Sequence, residues 1–194
     1  MRITLTPWQA HVDGWKDCTR CGLHRTRSSV VLARGSVPCD VVFVGEAPGR
    51  SEDALGKPFI GPAGAMLDGI VAEAFVGTAL RVAFTNLVAC IPIDPDDVDA
   101  PGGVGEPPDD AIAACAPRLV EFVRLARPRL IVRVGRHAQH WLSSGHRGAV
   151  KLGWDGPFVD LLHPAAILRM PHAQQDHQRR RAVVVLRSAV EKLG

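Results

Sequence analysis

Five cysteines occur in this chain of 194 residues, and four of them fall where they could share a metal. Cys18 and Cys21 form a C-x-x-C knuckle, whose two-residue gap lets the backbone turn and aim both sulfurs inward. Cys90 follows an apolar run, and Cys115 lies in a helical pattern beyond an acidic loop. Zinc in a four-cysteine site and a four-iron cluster both suit four thiolates, and spacing does not choose between them. Cys39, at the head of an apolar run, reads as a buried free thiol. Three other groups offer chemistry: the carboxylate of Glu46 in Gly45-Glu46-Ala47-Pro48-Gly49, the amide of Asn86, and the imidazole of His163 in His163-Pro164. Two of them also have a structural role open to them, Glu46 as a loop cap and Asn86 as a local turn former, so the fold must decide.

Four β-branched runs predict buried strands: Asp40 to Gly45, Arg81 to Val88, Arg129 to Val134 and Phe158 to Leu162. Helical patterns cover Ala63 to Phe75, Asp109 to Ala126, Arg136 to Leu142 and about Ala173 to Leu193. This alternation predicts a mostly parallel sheet flanked by helices. Such sheets bind ligands at the carboxyl ends of their strands. Gly45 to Gly49, Asn86 and His163 all end or follow strands, so they converge on one edge. Gly135-Arg136-His137 reads as a turn into a helix, and Ile91 to Pro108, rich in Pro, Gly and Asp, as an exposed loop. With no internal repeat or second domain visible, residues 1–194 read as one domain.

A hydrophobic content of 46% with 22% charged residues is ordinary for a protein with a real core. No apolar stretch approaches the roughly 20 residues needed to span a bilayer, and MRITLTPWQA lacks signal-peptide character. An intracellular, cytoplasmic location is therefore expected. A net charge of +3 is too small to prove a polyanionic partner. The distribution says more: arginines gather at Arg20, Arg25, Arg27 and Arg34, and again at Arg169, Arg179, Arg180 and Arg181, while acids concentrate between Asp94 and Asp110. Solvated helix faces are the alternative reading of those runs.

Gly45 to Asp68, GEAPGRSEDALGKPFIGPAGAMLD, closely resembles the first motif of the family 4 uracil-DNA glycosylases. Asn86-Leu87-Val88-Ala89-Cys90 is similar to the family's asparagine-bearing strand, and Asp109 to Leu119 to its helix with a cluster cysteine. Pro128 to Ala138 is similar to its third strand and His163 to Arg169 (HPAAILR) to its second catalytic motif. The resemblance implies a three-layer α/β/α sandwich with a central four-stranded, mostly parallel sheet, and hydrolysis of the N-glycosidic bond of uracil in DNA. It also implies a [4Fe-4S] cluster on Cys18, Cys21, Cys90 and Cys115, structural in this family, and a monomer located with the nucleoid that acts on single- or double-stranded DNA.

Uracil must leave the stack before its glycosidic bond can be reached. The resemblance places Phe59 against the uracil face, where an anonymous sequence would make it a core residue, and Asn86 opposite N3–H and O4, a pattern cytosine fails to match. His163 is implied to donate to uracil O2 as charge builds there, helped by backbone N–H groups around Gly45 and Ala47. Glu46 is implied to orient the hydrolytic water or to stabilise the cationic sugar. Ile167 and Leu168, read as a surface loop, would wedge into the stack, with Arg169 on phosphate and Arg179 to Arg181 adding contacts.

Some positions depart from the family pattern. Ala165 replaces the serine common after His-Pro, Ala89 and Ile91 flank Cys90 where basic residues are frequent, and the loop between Cys90 and Cys115 is longer and more acidic. Ile91 to Ala114 contains no histidine, lysine or arginine, so covalent trapping of DNA, known in a related group, is not predicted. The alternatives are a catalytically silent DNA-binding or polymerase-associated module of the same fold and cluster, and a zinc-binding nucleic-acid module.

Overall fold

The computed structural model describes residues 5–93, 104–145 and 148–193. Its elements run α1 (Pro7–Trp15), a 3₁₀ turn (Gly22–Arg25), β1 (Arg34–Gly35), β2 (Val41–Gly45), α2 (Arg50–Leu55), α3 (Pro62–Ala74), β3 (Val82–Asn86), α4 (Asp109–Ala126), β4 (Leu130–Val134), α5 (Arg136–Trp141), β5 (Phe158–Leu161), α6 (Pro164–Leu168) and α7 (His172–Glu191). The sheet order is β1-β3-β2-β4-β5. β2 runs parallel to β3 and β4, and β4 parallel to β5.

The expected count of four strands is corrected to five. β1 is a two-residue edge, antiparallel to β3, in which Arg34 faces Phe84 and Gly35 faces Ala83. A polar residue and a glycine form no apolar run, so only pairing reveals the strand. β3 stops at Asn86 rather than at Val88, because the chain then turns over the loop after β2. Leu87 N–H donates to the Gly45 carbonyl at 2.9 Å and Val88 N–H to that of Glu46 at 3.2 Å.

Period-two alternation builds three layers. Val42 and Val44 of β2 join one core with Ile112, Leu119 and Phe122 of α4 and Trp141 of α5. Val41 and Phe43 point the other way, into a core with Leu67 and Ile70 of α3 and Val183 and Leu186 of α7. The strands are thus covered on both faces, which is why they read as continuous apolar runs.

The segment Ile91 to Pro108 is only partly as expected. Ile91, Pro92 and Ile93 are buried, the first completely, so apolar content outweighs the loop signal there. Val104, Gly105 and Glu106 are exposed, and residues 94–103 lie outside the described residues. Among the described residues, no helix is long and apolar enough to cross a membrane.

Candidate active site and four-cysteine cavity

The carboxyl ends of the four parallel strands open onto one cavity of about 910 Å³. Glu46, Phe59, Asn86 and His163 all line it, together with Ala47, Gly49, Glu52, Gly135 and His137. The chain leaves β2 toward β3 on one side and returns to β4 on the other, which makes this the crevice expected at a reversal of strand order.

Glycine is required where these groups meet. Gly45 sits directly beside Asn86 in the β2–β3 register. A Cβ on Gly45 would stand 2.5 Å from both Asn86 Oδ1 and Phe59 Cζ. Phe59 has φ of +55°, in the left-handed region. A Cβ on Gly64 would run into its carbonyl. Glu52 holds this turn: its carboxylate accepts from the N–H groups of Gly49 (3.1 Å), Ile60 (3.0 Å) and Gly61 (2.9 Å). One side chain therefore fastens the loop after β2 to the turn that carries Phe59. Glu52 was not among the residues picked out from sequence, although Gly49-x-x-Glu52 has the spacing of a helix N-terminal capping pair.

Asn86 is 2% exposed, and its backbone is held from behind by α4. Arg118 Nη2 donates to the carbonyls of Asn86 (2.5 Å) and Leu87 (3.0 Å), and Nη1 to Thr85 Oγ1 (2.9 Å). His163 caps α6: its Nδ1 accepts from the Ala165 N–H at 3.2 Å. An accepting Nδ1 carries no proton, so the neutral ring keeps its proton on Nε2, the donor left for a ligand. Burial holds the His163 pKa below its ordinary value, with Arg169 acting in the same direction. The ring also stacks against Phe59, centroids 6.3 Å apart and planes 27° from parallel.

Burial pushes the Glu46 carboxyl above its ordinary value, the nearby His137 opposes that, and Glu106 adds to it. His137 Nδ1 stands 3.8 Å from Glu46, and its Nε2 stands 3.1 Å from Glu106. Arg136 Nη2 donates to the same Glu106 oxygen at 2.6 Å. The acidic loop thus contributes to the cavity wall through Glu106, a residue whose segment read only as exposed loop. No local pattern marks that role, since it arises from contact with α5.

The residues expected to touch DNA divide. Ile167 is 1% exposed, which corrects its reading as a surface wedge. It lies within α6, on the side packed into the protein, rather than on a loop. Leu168 is 38% exposed, and Arg169 is exposed on the cavity rim. Leu162 at 48% and Val104 at 37% add an apolar rim that sequence reasoning did not find. Arg179 pairs with Glu73, and Arg34 pairs with Asp68 while lying over the Phe84 ring. Both therefore have roles inside the fold, whereas Arg180 and Arg181 are exposed.

Cys18, Cys21, Cys90 and Cys115 line a second, small cavity, also bounded by Arg27, Arg118, Trp15 and Val30. Cys39 is 2% exposed and packs in the sheet core, as expected of a free thiol, and burial pushes its pKa up to about 12. Burial likewise pushes Cys90 up to about 11, although Arg27 opposes this by donating to its Sγ at 3.3 Å. A thiolate in so dry a place needs positive charge beside it, from a neighbour such as Arg27 or from a bound metal. Asp53 ties this region to the active-site loops: it is 6% exposed and accepts from the N–H groups of Ser28 and Ser29.

Residues 33–187 match the model of the uracil DNA glycosylase superfamily. The type-4 uracil-DNA glycosylase of Archaeoglobus fulgidus is 31% identical over 176 residues, 83% of each chain. That of Pyrobaculum aerophilum is 34% identical over 181 residues, 84% of this chain and 86% of the relative. The Saccharolobus solfataricus protein of the same name is 36% identical over 130 residues, 67% of this chain, and this chain spans only 56% of its length. With the sheet, the motif order and the extent of the match in agreement, this chain belongs to the uracil DNA glycosylase superfamily, in its type-4 group.

Proposed function

We propose that the chain, acting as one domain, hydrolyses the N-glycosidic bond of uracil in DNA and leaves an abasic site. The observation that carries this reading is the convergence of Glu46, Phe59, Asn86 and His163 on one cavity. Three separated stretches of sequence supply these four groups, and each group has the chemistry that one step needs.

A flipped uracil lies on the Phe59 ring, which offers stacking toward the unstacking cost of a few kcal/mol. The Asn86 amide, fixed by Arg118 from behind, presents a carbonyl to N3–H and an NH₂ to O4. The bond then breaks with positive charge on the sugar and negative charge on uracil O2. His163, neutral with its proton on Nε2, donates to that oxygen and needs no prior protonation. Glu46, ionised above its raised pKa, faces the sugar side and orients the water. Leu168, turned outward on α6, keeps the wedge role, Leu162 and Val104 on the cavity rim join it in place of the buried Ile167, and Arg169 meets phosphate. DNA is thus the proposed partner, and the protein acts inside the cell as a monomer.

The four cysteines fit an iron–sulfur cluster. Among the described residues no three His, Cys, Asp or Glu side chains stand at the spacing of a single-ion site, yet four thiols surround one cavity. Four thiolates suit zinc or a four-iron core alike, and the family resemblance of the motifs that carry them favours the cluster. When bound, it serves as a structural crosslink and performs no step of the hydrolysis.

A cleavage assay on single- and double-stranded oligonucleotides carrying one uracil tests the function. Alkaline strand scission at the uracil supports it, and DNA binding without scission would leave only the silent-module reading.

A further inference from the structure

Arg118 is a cation in an unusual place. It is 1% exposed, one helical turn beyond Cys115. Among the described residues no carboxylate pairs with it. A buried guanidinium without counter-charge is strongly disfavoured. Its two Nη atoms are satisfied by Thr85 Oγ1 and by the carbonyls of Asn86 and Leu87. The Nε–H, by contrast, is buried with no acceptor, and buried donors of that kind call for an explanation. The same side chain lines the four-cysteine cavity together with Arg20 and Arg27, of which Arg27 already donates to Cys90 Sγ.

We propose that Arg118 is a positioning residue joining the metal cluster to the base-recognition amide. Its Nη groups hold the Thr85–Leu87 turn that presents Asn86, while its Nε–H donates to the sulfur-rich anion held by Cys18, Cys21, Cys90 and Cys115. The inference rests on the reading of the two cavities given under Proposed function. A four-iron core with four thiolates carries net negative charge, so it supplies both the missing counter-charge and the missing acceptor. Arginine alone spans the gap, because its planar fork directs Nε and both Nη atoms along separate lines. The cluster then acts on recognition without chemistry at iron. With the sulfur partner present, the guanidinium is fixed at both ends, and the Asn86 backbone with it.

The test uses iron-loaded full-length protein carrying Arg118→Gln, Arg118→Lys or Thr85→Val, each compared with wild type. Iron content, the cluster's midpoint potential and its electron paramagnetic resonance spectrum are measured beside uracil excision. Arg118→Gln is expected to shift the potential to a more negative value, since a cationic donor to sulfur is lost. It also lowers kcat/KM for uracil by about tenfold, the scale of a coupling change. Arg118→Lys keeps the charge but cannot bridge, so it loses uracil excision with a smaller shift in potential, and it carries the test if the Gln variant fails to fold. Thr85→Val removes an Asn86-side partner of Arg118, along with the hydroxyl's own bond to the Leu32 carbonyl, and leaves Nε in place, so excision weakens while potential and spectrum stay at wild type. Wild-type potential and spectrum in both Arg118 variants would overturn the proposal. So would a shifted potential with unchanged uracil kinetics. Wild-type protein without iron overturns this proposal together with the cluster reading. Iron-loaded wild type that shifts potential in the variants but excises no uracil overturns the link to Asn86 and the proposed activity, with the sulfur contact left standing.

Discussion

At the scale of single residues, the site depends on which hydrogen-bonding pattern each side chain presents. In the proposed complex Asn86 offers one acceptor and one donor to the base edge. Asn86→Asp replaces the donor by a second acceptor opposite O4, and we expect uracil excision to fall on the order of 10²–10³-fold, the scale for a lost placed donor. Circular dichroism should show the fold intact, because the Arg118 contacts are to the backbone carbonyl. Glu46 predicts a pH dependence. Its pKa is raised by burial and lowered by His137, and only the carboxylate orients water, so activity falls as pH drops through that raised value. The acidic limb of kcat/KM, which reports the free enzyme, should thus lie above the ordinary carboxylate range. His137→Gln removes the opposing influence and moves the limb to higher pH. Glu106→Gln removes a contribution of the raising sign and moves it lower. A limb that stays in place in both variants would assign it to another group.

At the scale of elements, the loops after the strands are fastened by a few carboxylates and glycines. Glu52 joins two of them, and Gly64 leaves room for the Phe59 carbonyl. Gly64→Ala is expected to destabilise by about 1–3 kcal/mol, as overpacking does. It also displaces the Phe59 ring, so thermal unfolding should drop together with a rise in KM. Unchanged unfolding would show that the turn yields more readily than its left-handed Phe59 implies. α6 shows how a short helix reassigns its residues. Read as a loop, Ile167 and Leu168 are both free to reach DNA, whereas the helix turns Ile167 into the protein and Leu168 outward.

At the scale of the whole molecule, the chain from Cys18 to Ser29 has few elements of its own, and side-chain anchors attach it to the sheet. Arg27 holds Cys18 and Cys90, Asp53 holds Ser28 and Ser29, and the cysteines themselves converge. Removing the iron of the proposed cluster by oxidation and chelation should lower the unfolding temperature. Hydrogen exchange should speed up in residues 18–30 and at the Thr85–Cys90 turn, while β2 and β4 keep their protection. Uniform loss across the sheet would instead make the cluster essential to folding. How much of this was legible beforehand follows from the range of each interaction. Periodicity disclosed β2, β4, β5 and α4, because buried strands and an amphipathic helix write their burial into consecutive residues. The motifs, in their order, singled out Glu46, Phe59, Asn86, His163 and four cysteines, and the fold brings the first four to one cavity and the cysteines to another. The sequence did not disclose β1, the burial of Ile167 and Ile91, the partnership of Glu106 with His137, or the double role of Arg118. Each of those depends on what lies opposite in space. Pairing partners, helix facing and buried counter-charges are set between segments far apart in the chain, and only the folded molecule brings them together.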